Sequence, residues 1–306
     1  MIEPATKRGL SLAFSGALIL SFDTLLLRLI HADPFQAAFW RGMLMFVAGL
    51  CVLLVSRVRG NLSLSLTNGR IGLTVAAFYG FASICFVTSA MMTSIANMLV
   101  IIATAPLWAA IGATIFLKER TSTRTWWACV IALSGIVVVV WPSLSGKVNG
   151  GDVIALLTAW SMAGAFVLSR RLLANFALAP AMGGLLSAIA LAPFVQEFSF
   201  ARPGQILLMT LEGAILVPLA LGLVAAAPKY LPAPQVGLFL LLETVLGPIW
   251  IWAILGQAPS AYAMIGGSVV ILTLLVHSGL SLRSSKKAAD CAKRSVSLSA
   301  SQIAHR

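Results

Sequence analysis

The chain has 306 residues, 59% hydrophobic and only 10% charged, with a mean hydropathy of +0.98 and a net charge of +12. A soluble domain carries about 25% charged residues, so the composition excludes one and indicates a polytopic membrane protein. The positive balance alone would suit a polyanion partner, but the basic residues flank apolar runs instead of forming a patch. That placement argues against nucleic acid as a partner.

Lys7 and Arg8 precede a first apolar run that is too long for a signal peptide. It contains Asp23 and Arg28 and lacks a small-residue cleavage site, so it reads as a retained helix. A spanning helix needs about 20 mostly apolar residues. That length marks spans at 9–30, 36–57, 71–91, 94–117, 124–142, 151–171, 180–198, 205–228, 233–255 and 260–281. Short turns separate them, among them Asp33-Pro34, Asn68-Gly69, Asn149-Gly150-Gly151, Arg202-Pro203-Gly204 and Ala258-Pro259. The predicted fold class is an all-α integral membrane protein of ten transmembrane helices.

One set of alternate loops receives Lys7, Arg8, Arg57, Arg59, Arg70, Lys118, Arg120, Arg124, Arg170, Arg171 and Lys229, together with the tail. The other set receives Lys147 and Arg202. The positive-inside rule then places both termini in the cytoplasm. Residues 282–306 form a Ser- and Lys-rich tail, expected to be disordered and able to meet anionic lipid. Asn61-Leu62-Ser63 matches a glycosylation pattern but falls in a cytoplasmic loop. Cys51, Cys85, Cys129 and Cys291 show no metal or redox spacing and read as small hydrophobes; no metal and no cofactor is expected.

The two halves align at an offset of 138 residues. "ATAPLWAAIGATIFLKER" (103–120) then lies over "LLETVLGPIWIWAILGQA" (241–258), with Ala105 over Glu243, Asn97 over Gln235, Glu119 over Gln257 and Gly80 over Pro218. Near the start of each half the offset is 142, which places Arg28 over Arg170. Five spans per half is an odd number, so the second half enters the membrane inverted. The expected units are 9–142 and 151–281, an inverted-repeat transporter architecture with its site near the midplane.

"TAPLWAAIGATIFLKER" followed by "WWACVIALSGIVVVVWP" resembles the EamA domain of the drug/metabolite transporter superfamily. "DPFQAAFWRG" and "LLLETVLGPIWIWAILGQAPSAYAMIGGSVVIL" fit the same pattern, so the resemblance covers about residues 9 to 280. It implies an inner-membrane transporter of two EamA units moving small metabolites, amino acids or drugs, with export favoured and uptake or exchange as the alternative. Leu242-Glu243-Thr244 stands where the second unit usually reads Leu-Glu-Pro, and Gln257 where its turn often carries Glu.

Ionisable groups inside spans are the first candidates for function. At 1.5 Å per residue, Asp23, Arg41 and Glu212 lie roughly 8–11 Å in from the outer edge of their spans. An Asp23–Arg41 ion pair follows from that shared depth, serving either as a structural clamp or as an outer gate. Glu212 is read either as a proton carrier or as a protonated, hydrogen-bonded carboxyl. Glu243, mid-span, is read either as a hydrogen-bonding group or as a contact for protons or substrate. Lys229 is an interfacial anchor or an inner-gate contact.

Pro106, Pro248 and Pro218 are expected to interrupt their helices, either at sites that line a cavity or as plain packing kinks. Trp108 and Trp160, with Tyr79, Phe86 and Trp250, are candidate walls of that cavity, and Asn97 and Gln235 its end caps. The partners implied are a small-molecule substrate, membrane lipid and coupled protons. No HExxH helix and no Walker A loop occurs, which removes the main intramembrane-enzyme and ATP-pump readings. A receptor or scaffold is the remaining alternative.

Overall fold

The computed structural model describes residues 2–60, 65, 69–93, 95–141, 149–172, 174–200, 202–256 and 261–281. The tail 282–306, Gln257, Cys291 and the Asn61 loop lie outside the described residues. Every regular element among the described residues is helical. In chain order these are α1 (Ile2–Leu20), α2 (Asp23–Ile30), α3 (Pro34–Val58), α4 (Gly69–Met92), α5 (Ile95–Ile102), α6 (Ala105–Phe116) and α7 (Thr123–Val140). Then follow α8 (Gly150–Leu172), α9 (Ala179–Leu191), α10 (Pro203–Thr210), α11 (Val217–Ala226), α12 (Ala233–Leu255) and α13 (Ala261–Ser281).

Eight helical stretches among the described residues are long and apolar enough to cross a membrane. Two shorter apolar helices, Thr123–Val139 and Ala179–Phe194, stand where the fifth and seventh spans are predicted. Starts follow sequence signals. The Asp33 carboxylate caps α3 by accepting from the Phe35 and Gln36 amides, with Pro34 in the first turn. Ser122 caps α7 through the Thr125 amide. At the end of α6, Lys118 takes the left-handed conformation (φ 55°), and the Glu119 amide reaches back to the Ala113 carbonyl. That cap aims Glu119 across the bundle.

Helices approach closely where glycines leave room. A Cβ on Gly42 of α3 would collide with the Gly184 carbonyl of α9, and one on Gly80 of α4 would meet the Gly183 carbonyl at 2.8 Å. Gly135 of α7 and Gly266 of α13 are opposed in the same way. In a bilayer the hydrophobic effect does not drive helices together, so close contact at small residues supplies the packing energy.

Three spans are not uniform helices. The first breaks between α1 and α2, where Ser21 Oγ donates to the Leu18 carbonyl (2.6 Å) and the Phe22 amide bonds only three residues back. The fourth breaks at Ala103–Thr104, where Thr104 Oγ1 donates to the Ile101 carbonyl (2.6 Å). Each hydroxyl also accepts an indole N–H: Ser21 from Trp250 (2.8 Å) and Thr104 from Trp108 (3.1 Å). A hydroxyl bonded back to its own helix competes with the ladder and bends it. The eighth span widens into a π-helical turn over Leu211–Leu216, with the Val217 amide donating to the Glu212 carbonyl five residues back. Pro218, which has no amide hydrogen to donate, follows at once in α11.

The sequence places an interruption at Pro248, and the structure does not. α12 runs unbroken through that proline. A single missing donor, opposite the Thr244 carbonyl, is absorbed by a helix packed on α1, α6 and α7.

Candidate functional site

Asp23 is the first residue of α2, at the break, and is buried. Arg41 lies two turns into α3, and its Nη1 stands 3.1 Å from Asp23 Oδ2. The ion pair expected from depth is therefore present. The same guanidinium presents its Nε 3.3 Å from Glu212 Oε1, on the π-helical turn of the eighth span. Glu212 is fully buried, and neither of its oxygens accepts a well-aligned hydrogen bond from a described residue. Gly213 makes this approach possible: a Cβ there would lie 3.2 Å from the Arg41 Cα and 3.1 Å from the Leu44 Cβ.

Glu243 on α12 is partly buried and lies within electrostatic reach of both Asp23 and Arg41. No hydrogen bond to a described residue engages it. Seven residues on, and hence on the same face of α12, Trp250 donates to Ser21 Oγ and stacks on Phe22, with ring centroids 4.4 Å apart and planes at 17°. Asp23 is thus held between an aromatic stack and a guanidinium. Two carboxylates contact one guanidinium inside the spanning region, and a third, on α12, lies within electrostatic reach of it.

The other sequence candidates divide. Tyr79 is buried in α4, and its hydroxyl has no partner among the described residues. Gln235 opens α12 with its Oε1 likewise unpartnered. Asn97 is committed elsewhere. It bonds the Asp152 carboxylate, which also accepts from Thr93 Oγ1 (2.6 Å) and the Asn149 amide (2.9 Å), fixing the start of α8. The Asp152 cluster was not marked from sequence, since an acidic residue in a first helical turn looks like ordinary capping. Pro106 follows the α5–α6 break and packs against Gly237. Trp108 and Trp160 do meet, edge to face at 5.2 Å, but in a groove between α4, α6 and α8 that none of the four charged residues lines. Arg28 is exposed at the end of α2 and free to snorkel.

At the basic end a second polar cluster joins the two halves. Arg170 of α8 donates from Nε to Glu119 Oε1 (3.1 Å), and from Nη1 toward the Pro228 and Lys229 carbonyls (3.3 and 3.4 Å). Arg8 and Lys229 lie over the Tyr230 ring at 5.3 and 5.8 Å. At the opposite end Gln36 donates to the Ser199 carbonyl (2.7 Å), Trp40 to Phe198 (2.8 Å) and Gln205 to Ile30 (2.8 Å).

A bundle of apolar helices holding a buried charged cluster is compatible with a solute carrier, and a known family matches its first half. Residues 7–141 match the EamA-like transporter family. The match covers the first half of the chain. The matched family is one of transporters, and the eight long apolar helices among the described residues fit a multi-pass membrane protein. A solved structure described as "Crystal structure of protein" superposes with a TM-score of 0.74 at 18% identity, over 92% of this chain and 98% of that one. The likeness is one of overall fold and spans both halves of the chain. Comparison with curated proteins gives no match.

Proposed function

We propose that this protein is a secondary transporter that moves a small organic solute by alternating access, with Asp23, Arg41, Glu212 and Glu243 as its charged core. The observation that carries the reading is the imbalance of that core. Three carboxylates lie within electrostatic reach of one guanidinium, so full ionisation leaves an excess of two negative charges in a low-dielectric interior. Such an excess is costly. A proton, or a cationic group on the solute, removes it, which couples occupancy of the site to charge.

The two-unit reading, 9–142 and 151–281, is supported by which helices touch. α4 packs on α8 as α11 packs on α1, and α6 on α8 as α12 on α1. α3–α9 and α6–α12 are contacts between corresponding spans. Exchanging span n for span n + 5 maps these neighbours onto one another. Gly42 and Gly184, opposed across the α3–α9 contact, are 142 residues apart, the offset read near the start of each half. Rocking of one unit against the other would then separate the Arg170–Glu119 cluster at one end and the Gln36–Trp40–Gln205 contacts at the other. The charge asymmetry of the loops supports an inner-membrane orientation with the Arg170 end in the cytoplasm.

The test is flux through purified protein in liposomes across a metabolite panel, with and without a pH gradient. Solute movement that follows the gradient, in the outward direction for export, supports the proposal. Folded protein that moves no solute on the panel favours the receptor or scaffold reading.

A further inference from the structure

The groove beside the Trp108–Trp160 pair is separate from the charged core and has a volume of about 370 Å³. Its floor is made of small residues, Gly112, Ala163 and Gly164, and its walls of large apolar ones. It opens sideways: Ile115 is 63% exposed and Phe116 70%. α6 and α8 run in the same direction along it, with the tryptophan pair at one end and Arg171 at the other. From Trp160 to Arg171 is eleven residues of helix, about 16 Å. The hydrocarbon core of a bilayer is about 30 Å thick, so the groove spans one leaflet.

The two consecutive arginines of α8 differ. Arg170 turns into the bundle and is taken by Glu119 and two carbonyls. Arg171 is exposed at the mouth of the groove and has no polar partner among the described residues. Lys118 and Arg120 are exposed in the turn that follows the groove-lining Leu117, while the carboxylate between them, Glu119, is committed to Arg170. The mouth therefore presents uncompensated positive charge at the level of the headgroups.

We propose that this groove binds one anionic phospholipid of the leaflet at the basic face. An acyl chain lies along the Gly112–Ala163–Gly164 floor up to the tryptophan pair, and the headgroup phosphate sits on the Arg171 guanidinium. Apolar area holds the chain, and Arg171 selects the charge. The site needs only the membrane-embedded fold, so a failure of the transport reading leaves it standing.

Two measurements test it. Native mass spectrometry of the purified protein with added phosphatidylglycerol or phosphatidylcholine should show one retained phosphatidylglycerol in preference. Arg171→Gln should reduce that preference about fivefold, as expected for one basic residue at an anionic surface, and Arg171→Lys should restore most of it. Separately, phosphatidylglycerol brominated near the chain end, at low mole fraction, should quench tryptophan fluorescence more than the brominated phosphatidylcholine. That excess should disappear in Trp108→Phe/Trp160→Phe. Equal retention of the two lipids, or a preference unchanged by Arg171→Gln, overturns the proposal and leaves the groove as a bulk-lipid contact only. Both arginine variants alter an exposed side chain, and a thermal melt confirms that they fold.

Discussion

Arg41 is the residue on which the charged core depends, because its guanidinium is shared by Asp23 and Glu212 at 3.1 and 3.3 Å. Removing one partner of a buried pair costs about 3–5 kcal/mol; Arg41 retains 22% exposure, so Arg41→Gln should destabilise the protein by about 2 kcal/mol or more in a detergent melt. Asp23→Asn added to that variant should recover part of the loss, since it removes a carboxylate left without its cation. Glu243→Gln should behave differently. It keeps the side-chain shape, so the melt should be unchanged within about 0.5 kcal/mol, while solute flux loses its response to a pH gradient. Retained response would remove Glu243 from the coupling role. The Asp23–Arg41 pair was legible in the sequence because helical rise alone sets the depth of each residue. The capture of Glu212 by the same guanidinium was not, because it depends on the widened turn and on the absence of a Cβ at Gly213. The widened turn has no sequence signal beyond Pro218, and the glycine at 213 does not by itself say which helix it admits.

Helix interruptions follow a hydroxyl-and-indole arrangement more closely than they follow proline. Ser21 and Thr104 each bond back to a carbonyl three residues earlier and each accept a tryptophan N–H. Pro248, with no such hydroxyl, leaves α12 intact. Prolines are visible in any sequence, whereas a serine becomes a helix breaker only when a distant residue, Trp250 in this case, occupies its oxygen. That is why the break beside Asp23 was unread while the one before Pro106 was anticipated. Ser21→Ala and Trp250→Phe should each cost about 0.5–1.5 kcal/mol, and the double variant should cost less than their sum in a double-mutant cycle. Helix spacing gives a second check. Gly42→Ala places a methyl against the Gly184 carbonyl and should destabilise by about 1–3 kcal/mol through forced separation of α3 and α9. Substitution at Gly204, where a Cβ meets nothing within 4 Å, should be neutral by comparison.

The whole molecule has a charged core between two differently built ends. The basic end is held by an ion pair, Arg170–Glu119, and the other end by amide and indole hydrogen bonds to carbonyls. Weakening the ion pair by Glu119→Gln should favour opening at the basic end, read as faster labelling of a cysteine introduced at Ser169, buried next to Arg170 in the chain, by a membrane-impermeant reagent. The eight long apolar helices, the loop charge and the family match of the first half could be read from hydropathy and motif alone, since each is a property of local segments. The separation of the Trp108–Trp160 groove from the core could not, because it depends on how α4, α6 and α8 meet. In the proposed mechanism the excess carboxylates of the core exchange protons as the solute moves. The direct measurement is proton movement, reported by a pH-sensitive dye trapped in proteoliposomes, when a transported solute is added. The wild-type protein should move protons with solute, and Asp23→Asn/Glu243→Gln should abolish that movement while remaining folded. Solute flux with the same proton response in both proteins would rule out proton exchange at these carboxylates.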